Sequence, residues 1–319
     1  MSMTRKEVGV LLLLTVLCAI VAVASPQFLS VANLQNLTRL VGMYGIFSIG
    51  VGIVIVTGGI DLSVGSICAL LGILLSMMLV EWHWPATVAL AAVVVLGACL
   101  GAVHGLLIAR LRLQPFIVTL CGLLLYRGAA RYIARDSTKG FGTGEGFEWL
   151  RASASGSVAG VPMPFVIMCV VAGAAWVLVH RSVYGRHLFA SGHNEEASRY
   201  SGVNTRSVIA WSYVMSGTLA AVSAVIIAFY TNSVSPASHG NFYELYAIAA
   251  AVVGGCSLRG GEGSVLGIVM GAALLQVLRN LVNLLDIPSS LDFAVMGAVI
   301  LIGAMADQLF RGGISRSKR

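Results

Sequence analysis

Long apolar runs alternate with short polar breaks along the whole chain. They cover Val8–Val23, Leu40–Val56, Leu62–Val80, Thr87–Ala109, Phe116–Ile133, Pro164–His180, Val208–Tyr230, Phe242–Gly255, Ser264–Leu285 and Leu291–Leu309. Each is read as long enough to cross a hydrocarbon core of about 30 Å. None shows the two-residue alternation of barrel strands, so helices must satisfy the backbone in lipid. The pattern predicts an all-α polytopic membrane protein: a bundle of about ten transmembrane helices forming one domain over residues 1–319. Composition agrees, with 58% hydrophobic and 10% charged residues against about 25% charged in soluble domains. No soluble domain is left over.

The polar breaks set the expected orientation. With a cytoplasmic N-terminus and ten crossings, Arg5-Lys6, Arg110/Arg112, the Arg181–Ser207 loop, Arg259 and the Arg311–Arg319 tail fall inside, as the positive-inside rule asks. Both termini are then cytoplasmic. The net charge of +7 is thus a matter of topology, not a nucleic-acid footprint. Arg5-Lys6, Val8–Val23 and Ala22-Val23-Ala24 also have the form of a secretory signal; with membranous sequence throughout the rest, an uncleaved first span is expected. Arg127, Arg131 and Arg135 run against the rule at the outer end of the fifth run. Either that helix spans with its arginines buried in protein or at the interface, or it is re-entrant.

Glycine patterns point to close helix packing. Gly97, Gly101 and Gly105 make overlapping G-x-x-x-G repeats in the fourth run, and Gly263, Gly267 and Gly271 do so in the ninth. Such spacing lets backbones approach, within one chain or between subunits. Two blocks, Gly58-Gly59 to Gly65 and Gly260-Gly261 to Gly267, share a Gly pair, an acid, Ser-Val and a glycine. An internal transporter repeat and chance composition both account for this.

Several chemistries are absent. The three lysines (Lys6, Lys139, Lys318) never follow a glycine, so there is no G-K-[ST] phosphate loop, and neither H-E-x-x-H nor G-x-S-x-G occurs. His104 reads as a packing residue. The six cysteines lie in or beside apolar runs without C-x-x-C spacing and read as small buried residues. The chain is expected to be a conduit, without catalytic, metal or cofactor sites.

Four polar constellations stand out against this background. Asp61 follows Gly58-Gly59 between two apolar runs; it either N-caps a helix starting at Leu62 or marks a polar point on a transport path. Gln276, Asn280 and Asn283 lie on one stripe of the ninth run beside Arg279 and Asp286, fitting interhelical hydrogen bonds or a pore lining. Glu244 opens the eighth run and is a possible outer-side partner of Arg127. In Gly192-His193-Asn194-Glu195-Glu196-Ala197-Ser198-Arg199-Tyr200-Ser201-Gly202, Asn194 suits an N-cap, the two acids a first turn, and Gly202 a helix stop. A helix of about two turns is expected there, either solvated or docked into a partner's cleft.

Taken together, these blocks resemble the monosaccharide permeases (ribose, xylose and galactose type) of ABC importers. The resemblance rests on Gly58 to Gly65, Pro115 to Leu120 with Tyr126-Arg127-Gly128, Gly192 to Gly202, Glu244 to Ala250 and Gly254 to Ser264, in the family's order. It implies a permease of the bacterial cytoplasmic membrane acting as a homodimer or with a sister permease. It implies an extracytoplasmic solute-binding protein and separate ATPase subunits that use ATP. Gly192, Asn194, Glu195, Glu196, Ala197, Arg199 and Gly202 would form the coupling helix between the sixth and seventh spans. The chain departs from many members in carrying Tyr246 where an acid follows Glu-Leu. An ion-coupled secondary transporter is the competing reading, with Asp61 and Arg279/Asp286 as its ionisable groups; a structural membrane protein without flux is a third.

Overall fold

Val31–Val56 forms a 26-residue helix around which most of the protein packs. In the computed structural model this is α2 of twelve α-helices among the described residues, which are 5–142, 146–286 and positions 288, 291, 294, 297, 298 and 301. The others are α1 (Arg5–Ala24), α3 (Val64–Ser76, continuing as a π-turn to Glu81), α4 (Ala86–Ala109), α5 (Pro115–Ala134), α6 (Glu148–Ser155), α7 (Met163–Trp176, continuing to Arg181), α8 (Val183–His193), α9 (Glu195–Tyr200), α10 (Thr205–Thr231), α11 (Tyr243–Val253) and α12 (Val265–Leu284). Two short antiparallel pairs, Lys139–Gly140 with Ser233–Val234 and Ser157–Val158 with Val161–Pro162, tie loops at one end. The tail from Arg311 and most of the Leu291–Leu309 run lie outside the described residues.

Among the described residues, eight helices are long and apolar enough to cross a membrane: α1 to α5, α7, α10 and α12. The chain is an all-α polytopic membrane protein. α2 and α3 are almost wholly buried, whereas α1, α4, α5 and α7 turn broad apolar faces outward. That is the arrangement expected when lipid is the solvent for the rim and protein for the centre. The fifth run forms one unbroken helix, Pro115–Ala134, long and apolar enough to cross.

The eighth run differs from its expected form. Only Tyr243–Val253 is helical, and eleven residues rise about 16 Å, half a hydrocarbon core. Beyond the Ser233–Val234 pairing, residues 235–242 form no regular element: Pro236 cannot donate, and Gly240 and Phe242 take positive φ. This passage is therefore a loop dipping between the helices followed by a half-helix.

Small residues position the centre. A Cβ on Gly45 of α2 would lie 2.6 Å from the Met168 sulfur of α7, and one on Gly50 would lie 3.2 Å from Ser216 Cα of α10. Both G-x-x-x-G series pack within the chain. Gly97, Gly101 and Gly105 of α4 face Gly217, Tyr213 and Ala210 of α10; Gly267 and Gly271 of α12 face the Gly254 and Ala250 carbonyls of the α11 segment. Without side chains between them, the helices gain van der Waals contact at the backbone itself. The expected cysteine burial holds for Cys68 and Cys256, while Cys99, Cys121 and Cys169 face outward. Burial pushes the Cys256 thiol, in the loop after α11, up to about 12.

A side chain at Gly105 would meet the Ala210 carbonyl oxygen at 2.6 Å and its Cα at 2.8 Å. Gly105→Val should therefore destabilise the protein by about 1–3 kcal/mol, read as earlier thermal unfolding in detergent. Gly128→Ala, where nothing lies within 4 Å, should leave stability unchanged or slightly raised.

Candidate functional site

Two helix breaks of the same build meet at one end of the bundle. α2 ends in a Schellman turn: Gly58 N–H donates to Ile55 O (2.8 Å) and Gly59 N–H to Val54 O (3.2 Å), with Gly58 at φ +81°. α11 ends likewise, Gly255 N–H donating to Val252 O and Cys256 N–H to Ala251 O, both at 2.9 Å. Each break leads through a loop to a serine and the next helix. The breaks touch, since Gly261 N–H donates to Val56 O at 2.9 Å. A Cβ on Gly260 would fall 2.7 Å from Gly58 N.

The first break carries Asp61 into the protein. α3 begins at Val64, not at Leu62, because Asp61 folds its own segment into a local turn. Its Oδ1 accepts from Ser63 N (3.0 Å) and Ser63 Oγ (2.7 Å), and its Oδ2 accepts from Ser216 Oγ of α10 (2.7 Å). Asp61 thus accepts from a following amide as an N-cap would, but Ser63 occupies the cap position. Asp61 is 1% exposed, and no Lys or Arg lies within ion-pair distance among the described residues. A buried carboxylate thus relies on neutral donors. Around it, Ser63 Oγ lies 3.4 Å from His104 Nδ1, and His104 Nε2 lies 2.9 Å from the Tyr126 hydroxyl. Tyr213 donates to Ile60 O at 3.2 Å. α3, α4, α5 and α10 therefore converge on residues 60–63, and Ser216 stands about 16 Å along α10.

Arg127 and Glu244 sit near this centre without pairing directly. Arg127 lies about 18 Å along α5. Its Nη1 donates to Pro236 O (3.1 Å) and His239 O (2.6 Å). The guanidinium thus satisfies the backbone of the dipping loop, a demand that takes precedence in lipid over an ion pair. Glu244 is buried, with Oε2 2.5 Å from where a Cβ on Gly65 of α3 would lie. The loop between them also holds His239, buried with no partner for Nε2 among the described residues.

The polar stripe of α12 divides into three environments. Asn280 exchanges two amide bonds with Asn33 of α2 (2.7 and 3.0 Å), so it is an interhelical clasp. Gln276 is 1% exposed, with no partner for its Oε1 among the described residues, and Asn283 is exposed. Arg279 donates to the Tyr44 hydroxyl and lies over the Tyr246 ring at 5.0 Å; that is where the departing tyrosine is used.

The expected loop helix forms as α9. Asn194 Oδ1 accepts from Ala197 N at 2.9 Å, and Gly202 closes it at φ +86°. Glu195, Glu196, Ala197 and Arg199 are exposed, and Glu195 Oε1 accepts from Thr205 Oγ1 of α10 (3.2 Å). Gly192 lies against the Val56 carbonyl at the end of α2, so no side chain fits there. A cavity of about 430 Å³ separates Glu195, Glu196 and Arg199 from Gly58 and Gly59, with Arg112 on its wall. Sequence reasoning missed α8, Asn33, Ser216 and Tyr213. Ser212 and Ser216, four residues apart in an apolar run, were the available sign of a polar face on α10.

The profile of a family described as "Branched-chain amino acid transport system / permease component" matches residues 33–304. Ribose import permease protein RbsC of Escherichia coli is 40% identical over 297 residues, covering 93% of this chain and 92% of that protein. The protein of the same name in Bacillus subtilis is 37% identical, covering 95% and 93%. Xylose transport system permease protein XylH of Escherichia coli is 32% identical, covering 88% and 86%. No solved structure matches the chain.

Two substitutions test the buried polar centre by thermal unfolding. Asp61→Ala removes the acceptor for three donors and should cost about 1–3 kcal/mol, with Asp61→Asn milder. Arg127→Leu strands two carbonyls at membrane depth and should cost at least as much, with Arg127→Lys recovering part.

Proposed function

The chain belongs to the monosaccharide permeases of binding-protein-dependent ABC importers, and from that premise we propose which of its parts couple to the motor and which form the hinge. It is the transmembrane subunit forming the pathway for a monosaccharide or similar polar solute, a transport subunit and not an enzyme. Permeases of this class work in the inner membrane with ATPase and binding-protein partners. Membership decides for this reading over ion-coupled secondary transport.

In our reading α9 is the coupling helix, pressed into a cleft of an ATPase subunit that uses ATP, while this chain carries no cofactor. The observation that carries this is mechanical. α9 is exposed, capped by Asn194, and joined to α10 through residues 201–204 and the Glu195–Thr205 bond, with Tyr213 and Ser216 of α10 holding Ile60 and Asp61. A displacement of α9 moves α10, and α10 pulls on the break between α2 and α3. Gly58, Gly59 and Asp61 then serve as the hinge, at the α9 end of the bundle where α2 stops and the chain turns inward to α3. Gln276 and Asn283 remain candidates for lining the pathway; Asn280 is proposed as structural. Arg127 and Glu244 would hold the dipping loop on the extracytoplasmic side of the hinge.

The α9 end is taken as cytoplasmic, with the N-terminus beside it. Lys6, Arg110, Arg112, Arg181, Arg186, Arg199, Arg206 and Arg259 gather there, and Lys6 pairs with Glu262 of the second break at 2.7 Å. A second permease copy or sister permease completes the assembly. The names of the relatives point to a pentose as the solute.

The test is solute uptake and ATP hydrolysis in proteoliposomes with purified ATPase and binding protein. Combining Glu195→Ala, Glu196→Ala and Gly202→Pro should reduce ATP-driven uptake to near background in a folded protein. Proline, fixed near φ −65°, cannot take the Gly202 conformation. Unchanged uptake would remove α9 from the coupling role.

A further inference from the structure

A groove of about 460 Å³ opens beside the α4–α10 contact, at the α9 end of both helices. It exists because that contact is so close: Gly105 packs on the Ala210 backbone, and neither helix has a side chain there to fill the flank. Leu106 and Val214 line it, with Trp211 at its edge; Leu106 is 50% and Trp211 57% exposed. Toward the helix ends the lining turns basic, with Arg110 after the last turn of α4 and Arg206 in the first turn of α10. Among the described residues no carboxylate lines the groove. Neither arginine is ion-paired among the described residues.

This is an amphipathic site with its polarity along the membrane normal. The apolar part lies at hydrocarbon depth, the aromatic edge where Trp concentrates at the interface, and the guanidinium groups at headgroup level. We propose that the groove binds an anionic phospholipid, with its phosphodiester held by Arg110 and Arg206 and an acyl chain laid along Leu106 and Val214. A guanidinium matches phosphate oxygens in a bidentate fork, and two uncompensated arginines select a net negative headgroup over a zwitterionic one. A docked protein helix would leave both arginines needing acids at headgroup depth, which a lipid phosphate supplies without a specific partner. The occupied groove would brace the first turns of α10, next to α9.

Trp211 reports on the site. The full chain is reconstituted in phosphatidylcholine vesicles containing a minority of brominated phosphatidylglycerol or brominated phosphatidylcholine. Trp211 quenching is taken as the difference between wild type and Trp211→Phe. Brominated phosphatidylglycerol should quench Trp211 at roughly ten-fold lower content than brominated phosphatidylcholine. Arg110→Gln with Arg206→Gln should abolish that preference without changing helical content, and Arg110→Lys with Arg206→Lys should keep most of it. Equal quenching by the two lipids, or a preference that survives the glutamine pair, overturns the proposal. Shielding of Trp211 from both lipids overturns it in favour of a second copy covering the groove.

Discussion

The need to satisfy polar groups at membrane depth without water governs the centre of this protein. Asp61 brings a carboxylate there and receives three bonds from neutral donors. Arg127 brings a cation and spends it on two backbone carbonyls. Had these two charges met as an ion pair, the dipping loop before α11 would have been left with unpaired carbonyls in a low-dielectric interior, where each is costly. The charges are instead distributed so that each repairs a break in regular structure.

Those breaks are where the regular helices stop and meet. α2 and α11 both end in Schellman turns, and the turns bear on each other through Gly261 and Val56. Irregular backbone at these points can change its dihedral angles, which the long helices cannot do without breaking their ladders. The stiff parts are arranged around them: α10, locked to α4 at three glycines, links the exposed α9 to the residues that hold Asp61. Close backbone contacts and two broken helix ends thus follow from placing glycine where helices must touch or stop.

The same logic explains the polar stripe on α12. An amide in the lipid-embedded part of a helix must find a partner, and Asn280 finds Asn33 in a reciprocal pair. That pair ties α12 to the start of α2, while the small-residue face of α12 binds α11. Gln276 is buried, with no partner for its Oε1 among the described residues.

The sequence by itself determined the class of protein and much of its layout. Span lengths, the G-x-x-x-G faces and the Asn194–Gly202 helix all rest on local rules: helical rise, close approach without a Cβ, a capping side chain and a left-handed stop. Asp61 was legible because a lone carboxylate between apolar runs must find a cap position or other donors. What only the tertiary structure decided were the partners. Ser216 for Asp61, Asn33 for Asn280 and the Pro236 and His239 carbonyls for Arg127 lie from 109 to 247 residues away. Backbone carbonyls leave no mark in a sequence, so Arg127 invited a pairing with Glu244 that the fold does not make. The half-helix at α11 was hidden for a related reason. Apolar length predicts what can lie in a membrane, but whether the chain there is helix or loop depends on which neighbour supplies its hydrogen bonds.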